Sequence, residues 1–333
     1  MTWGQFVDWF HSEQGCRDYL EKLRWAHGLV CPQCGVISQV ERISRARWVC
    51  PACKHQATVT ARTTLQAQVV VCPACKHQAT VTAGTIFDKT RTELRVWFAA
   101  IWFITSQKHG ASALGLQRVL GLGSYQTAWA MLHRLRRAMV LPGRELLHGE
   151  VEVDETFLAL TDAKNPRDAA GRKSGTAKVV VAIAVEMLQP KGFGRIRIQQ
   201  IERGDSANLL PFIQASVRTG ALIHSDGSRS YSKLQDKGYI HKTTVHDGSA
   251  IPAHESMPGV HRVAALLQRW LLGTHQGAVQ PGQLDYYLDE FVFRFNRRTS
   301  RSRGLLFYRL LEQAVLTEPV TYDNVVQSAK KQG

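Results

Sequence analysis

The chain has no run of about 18 consecutive apolar residues, the length a membrane-spanning helix needs, so no transmembrane span and no membrane partner are expected. Its most apolar stretch, Val96 to Thr105, is too short to span and reads as a core helix. The first residues, Met1-Thr2-Trp3-Gly4-Gln5-Phe6, lack the charged-then-apolar order of a secretory signal. That predicts a cytoplasmic protein. Thiols stay reduced there, which excludes disulfides as the use of its seven cysteines. Acidic residues are scarce: 27 Asp and Glu stand against 42 Lys and Arg in 333 residues, a formal net charge of +15. Such an excess favours a polyanionic partner, because each neutralised phosphate releases counterions. The basic residues are also clustered, at Arg134, Arg136 and Arg137 and again at Arg294, Arg297, Arg298, Arg301 and Arg303, which points to nucleic acid. A DNA-bound cytoplasmic protein is a nucleoid-associated one.

Six of the cysteines form three C-x-x-C pairs: Cys31/Cys34, Cys50/Cys53 and Cys72/Cys75. Two such pairs joined by a hairpin give a tetrahedral thiolate site for Zn²⁺, and the spacing from Cys34 to Cys50 suits a zinc ribbon. The third pair is a copy. Val49 to Ala61 (VCPACKHQATVTA) recurs unchanged at Val71 to Ala83, which reads as a local tandem duplication rather than a solenoid repeat. Cys31 and Cys34 can share one ion with Cys50 and Cys53, or with Cys72 and Cys75, but not with both. The shorter loop costs less closure entropy and favours Cys50/Cys53. Cys16 reads as a buried thiol, and His55 and His77 as surface residues.

Residues 91 to 140 carry helical periodicity. Ser112 to Met139 reads as a helix, a Gly121-Leu122-Gly123-Ser124 turn and a second helix, with Ser124 as N-cap. This resembles a helix-turn-helix, whose second helix enters the major groove. Arg134, Arg136 and Arg137 on that helix are the expected DNA contacts. From Gly149 the pattern changes to strands: Glu150 to Leu158, Lys178 to Glu186 and Arg195 to Ile201. A helix (Ser206 to Arg218), a short buried strand (Ala221 to Ser225), a helical Tyr231 to Lys237 and a helix over Val260 to Leu272 follow. That order predicts an α/β, ribonuclease-H-like mixed sheet as a catalytic core, preceded by the zinc ribbon and the helical region. Its first and fourth strands are neighbours, so Asp154 and Asp226 would face one pair of metal ions. Glu155, next along the strand, would face the other way.

The chain resembles the insertion-sequence transposases with an N-terminal zinc ribbon and a ribonuclease-H-like DDE domain. The resemblance rests on Arg24-Trp25, Gly84-Thr85-Ile86-Phe87, Val151-Glu152-Val153-Asp154-Glu155-Thr156, His224-Ser225-Asp226-Gly227 and Trp270-Leu271-Leu272-Gly273-Thr274-His275. Its most specific stretch runs from Tyr287 through Asn296 to Arg298. It implies Mg²⁺- or Mn²⁺-dependent DNA cleavage and strand transfer, with terminal inverted repeats and target DNA as partners and a homo-oligomer as the acting form. Asp154 and Asp226 would be the first two metal ligands. The family places a Glu or Asn on the last helix, seven residues before a Lys. Here His261 takes that third place and Gln268 replaces the Lys, with Glu255 the nearest alternative carboxylate. Arg297 and Arg298 would track DNA backbone. The missing acid, Gln268 and the duplicated knuckle together suggest a degenerate copy with reduced activity. Other readings are a non-catalytic DNA-binding protein, acting as a repressor or end binder, and a nuclease of the same fold without strand transfer. The expected divisions are an N-terminal helical segment (1–28), the zinc ribbon with its duplicated knuckle (29–88), the helix-turn-helix-like region (89–142), the transposase domain (149–316) and a polar tail (317–333).

Overall fold

The structure, a computed structural model, describes residues 2–26, 81–140, 143–161, 176–244, 256–276 and 278–331, with seven short strands between residues 29 and 80. Helices α1 (Trp3–Trp9) and α2 (Glu13–Arg24) come first. The short strands are β1 (Leu29–Val30), β2 (Ile37–Ser38), β3 (Glu41–Ile43), β4 (Arg47–Val49), β5 (Gln56–Thr58), β6 (Val69–Val71) and β7 (Gln78–Thr80). Helices α3 (Leu94–Ser106), α4 (Ala113–Leu120) and α5 (Tyr125–Arg137) follow. Then come β8 (Glu150–Thr161), β9 (Thr176–Met187), β10 (Phe193–Ile201), α6 (Ser206–Ser216), β11 (Leu222–Asp226) and β12 (Ile240–Thr244). Helices α7 (Pro258–His275), α8 (Leu284–Asn296), α9 (Arg303–Leu316) and α10 (Tyr322–Lys331) close the chain. They fall into two compact units.

The first unit holds Met1–Lys108, Ala113–Ala138 and Ser302–Val320. Helix α1 starts at a capping box, in which Thr2 and Gln5 satisfy each other's backbone amides. Phe6, Phe10, Phe98 and Phe307 form one aromatic cluster, with ring centroids 4.9 Å apart for Phe10 and Phe98 and 5.6 Å for Phe6 and Phe307. Cys16 is buried, and burial, with Glu13 beside it, pushes its thiol up to about 12, so it is an inert core residue. The polar segment between Asn296 and Arg303 separates α8 from α9, and the apolar face of α9 (Phe307, Leu310, Leu311, Ala314) packs in this first unit.

The short strands carry a signature of the duplication. Val30 faces Ile37, Val49 faces Gln56 and Val71 faces Gln78, each an antiparallel pairing of residue i with i+7 around a C-x-x-C pair. The two copies therefore form the same hairpin in the same register. The six paired cysteines, His55 and His77 lie outside the described residues.

The second unit is built on a five-stranded sheet in the order β10-β9-β8-β11-β12. Strands β8, β9 and β10 form an antiparallel meander; β11 runs parallel to β8, and β12 parallel to β11. Side-chain alternation gives two apolar layers. Leu158, Ile183, Val185 and Ile196 face α7 and α8, whereas Val151, Val153, Ala184 and Ile223 face α6. Asn296 ends α8 by clasping β10: its amide oxygen accepts from Ile196 N (2.7 Å) and its amide nitrogen donates to Ile196 O (3.2 Å). Three local expectations change. Tyr231 to Lys237 is not a helix but two short 3₁₀ turns, at Arg229–Tyr231 and Gln235–Lys237. Strand β12, polar along its length, was not anticipated. The polar tail contains α10, where Val325 is buried.

Candidate active site

The parallel pairing of β8 with β11 builds the site. Leu222 faces Glu150, Ile223 faces Val151 and His224 faces Glu152. The pairing ends there, and two residues further along each strand stand Asp154 and Asp226. The two-residue period puts both aspartates on the face of Glu152 and His224, on strands about 4.8 Å apart. Each carboxylate has a local anchor. Asp154 Oδ1 accepts from Glu155 N at 2.9 Å, and Asp226 Oδ1 accepts from Ser228 N at 3.0 Å, closing the turn that follows β11.

Glu155 stands on the opposite face. Tyr231, fully buried, donates its hydroxyl to Glu155 Oε2 at 2.7 Å. Burial pushes the Glu155 carboxyl up despite this hydrogen bond, and the negative charges of Asp154 and Asp226 add to the rise. The same two aspartates, after burial and Glu155, raise the Tyr231 hydroxyl.

Helix α7 begins on the aspartate face. Gly259 N and Val260 N donate to Glu152 Oε2 at 2.7 and 3.0 Å. His261 is the next residue, half-buried, and Gln268 lies two turns further along the helix, exposed. Glu255 lies outside the described residues. Among the described residues, no group of three or more His, Cys, Asp and Glu side chains stands close enough to cage a metal ion. Sequence reasoning missed Arg229, in the turn after Asp226, and Arg262 and Arg269 on α7, all exposed. The last two were legible: they repeat the seven-residue spacing of His261 and Gln268.

The basic residues expected at DNA separate into two groups. Arg136 is 1% exposed, and Arg134 is half-buried with its guanidinium donating to Ile86 O at 3.5 Å. Arg297 lies over the Phe293 ring at 4.1 Å. Arg298 lies over Phe295 at 4.0 Å and donates to the carbonyls of Phe193, Gly194 and Phe295. Arg134, Arg136 and Arg297 serve packing as placed; Arg298 is held by its ring and carbonyl contacts yet stays exposed. Arg137 is exposed, as are Tyr125, Gln126 and Thr127 on the first turn of α5, the turn that reads bases in helix-turn-helix proteins. Removing Arg137 is expected to weaken DNA binding evenly across sequences and to lower the salt slope of log K by about 1. Gln126→Ala should instead relax sequence preference, and Arg136→Ala should lower thermal stability. Fluorescence anisotropy across a salt series, with thermal melts, separates the three.

A three-strand meander followed by two parallel strands, with an aspartate on each of the first and fourth strands, defines a ribonuclease-H-like α/β domain. Residues 146–296 match the ISXO2-like transposase domain, and residues 11–56 match the transposase zinc-ribbon domain. The two matches identify these regions as the zinc-ribbon and DDE-type domains of insertion-sequence transposases. The chain is 25% identical over 296 residues to an uncharacterized protein in transposable element ISH50 of Halobacterium salinarum, covering 86% of this chain and 91% of that one. A crystal structure of the catalytic core domain of BIV integrase is similar to it at 15% identity, with a TM-score of 0.28, over 55% of this chain and 97% of that chain. No helix among the described residues is long and apolar enough to cross a membrane.

Proposed function

We propose that this transposase cleaves the ends of its insertion sequence and joins the freed 3′-hydroxyl to target DNA, with Asp154 and Asp226 holding divalent ions. The observation that carries the reading is the same-face placement of these two aspartates, each two residues past the last pairing of the adjacent parallel strands β8 and β11. The two aspartates fit in kind, since carboxylate oxygens are hard ligands suited to Mg²⁺ or Mn²⁺. Such ions, when bound as a pair, stabilise the attacking and leaving oxygens of an in-line displacement. The chain's own part is to fix the two carboxylates on adjacent strands, to supply His261 as the third group, and to hold DNA through Arg137, Gln268 and the exposed arginines of α7. Arg298, exposed, joins these contacts, whereas Arg134, Arg136 and Arg297 act by packing within their own units. An imidazole in the third place favours Mn²⁺ over Mg²⁺. Mn²⁺- and Mg²⁺-dependent cleavage of end DNA, compared between the wild type and variants lacking each aspartate, tests the reading.

A second reading has its own observation. His261 and Gln268 stand where the family has an acid or amide and a Lys, so a degenerate copy acting only as a DNA-binding repressor or end binder predicts tight end binding without cleavage. In either case the ribbon holds Zn²⁺ through Cys31, Cys34, Cys50 and Cys53. The zinc-ribbon match supports this set, since it ends at residue 56 and leaves out Cys72 and Cys75. The identical register of β4-β5 and β6-β7 makes Cys72/Cys75 the alternative pair. Cys72→Ser/Cys75→Ser is expected to keep about one Zn²⁺ per chain, and Cys31→Ser/Cys34→Ser to lose it. Zinc retained by Cys50→Ser/Cys53→Ser, measured by elemental analysis, would show that the copy can take over. We propose a homo-oligomer as the acting form and the nucleoid as its place.

A further inference from the structure

Glu150, Glu152 and Asp154 alternate along one face of β8. The function proposed above uses Asp154 and leaves Glu152 without a role, yet Glu152 is 2% exposed. A carboxylate is costly to bury unless hydrogen bonds replace its water. Here Oε2 takes the amide hydrogens of Gly259 and Val260. These belong to the first turn of α7, where the helix itself offers backbone amides no partner and its dipole favours a negative charge. The residue at the ordinary capping place, Met257, makes no side-chain cap bond. A strand residue therefore caps this helix. The approach is fixed from the other side as well. A Cβ on Gly259 would stand 2.8 Å from Glu152 Oε2 and 2.9 Å from Met187 Sδ, closer than real Cβ contacts come.

Glu152 thus ties two parts of the site together. Along the strand it is two residues from Asp154 on the same face; across its hydrogen bonds it is one residue from His261. We infer that Glu152 is a positioning residue, which docks the start of α7 and so sets where His261 stands relative to Asp154 and Asp226. The inference rests on the metal-site reading of those three residues.

The test is Mn²⁺ binding to the zinc-loaded full-length protein, with the free ion followed by electron paramagnetic resonance. Glu152→Ala is expected to weaken Mn²⁺ binding about 10- to 100-fold, the range seen when a group orienting a ligand is lost. Glu152→Gln keeps an oxygen that accepts both amides and should stay within about threefold of wild type. Gly259→Ala keeps the acid but forces it away from the helix, and should behave like Glu152→Ala. In a His261→Ala background, Glu152→Ala should add roughly twofold or less, because the two act through one element. If Glu152→Ala fails to fold in a thermal melt, Gly259→Ala and Glu152→Gln decide. Wild-type affinity in Gly259→Ala, or equal weakening by Gln and Ala, overturns the positioning role while Asp154→Ala still loses the ion. If Asp154→Ala binds Mn²⁺ as the wild type does, the metal site itself is wrong and the inference falls with it.

Discussion

Asp154→Ala and Asp226→Ala should each lower metal-dependent cleavage of insertion-sequence end DNA by about 10³-fold or more, while end binding persists. Metal-centred charge stabilisation contributes several kcal/mol to such a transition state, and each 1.4 kcal/mol is about tenfold in rate. Neither residue belongs to the buried apolar core: both are half-buried, Asp154 within β8 and Asp226 at the end of β11. Asp226 also closes a turn through Ser228 N, so its alanine variant has two effects. Asp226→Asn separates them, because the amide oxygen still accepts from Ser228 while the charge is gone. Asp226→Asn as inactive as Asp226→Ala, with unchanged melting, assigns the loss to the ligand role. Wild-type rates in Asp226→Asn would make Asp226 a turn residue only. If the wild type itself binds ends tightly and does not cleave them under Mg²⁺ or Mn²⁺, the chain is a DNA-binding protein built on a silent catalytic fold.

The parts of this architecture that follow from periodicity were legible in the sequence. The meander, the buried strand before Asp226 and the helix bearing His261 all carry strong two- or 3.6-residue patterns, and these bring the two aspartates together. Strand β12 was not legible because Ile240-His241-Lys242-Thr243-Thr244 is mostly exposed on an edge and shows no apolar alternation. The roles of the arginines were hidden for a different reason. Charge is visible in a sequence, but the side a charge faces is set by tertiary packing. For Arg136 there was a signal: it falls four residues after Leu132 and eight after Ala128, on the buried stripe of α5. Arg297 and Arg298 read as DNA contacts until the ring beneath each is seen. Glu152 could have been noticed as an acid alternating with Asp154. Only the long-range contact with Gly259 shows that it caps α7.

Arg294 illustrates the same lesson with the largest stability effect. It was expected along DNA, but its guanidinium donates to Glu290 Oε1 from Nε and from the terminal nitrogen, both at 2.8 Å, across one turn of α8. The Glu290 side chain is 0% exposed and that of Arg294 16%. Desolvating both ions is costly, so the pair adds little net stability over an apolar one, but removing Arg294 takes two charge-assisted hydrogen bonds from a buried carboxylate. Arg294→Ala should therefore destabilise the catalytic unit by about 3–5 kcal/mol. For a unit of this size that lowers the melting temperature by roughly 6–20 °C. Glu290→Ala leaves the partner with some access to water and should cost less. The double variant Glu290→Gln/Arg294→Met should recover much of the loss, since no uncompensated charge remains. Circular dichroism melts of the four proteins check this. Below the lowered transition, Arg294→Ala should bind end DNA as tightly as the wild type. A large affinity loss with an unchanged melt would instead put Arg294 on the DNA and make its contact with Glu290 incidental.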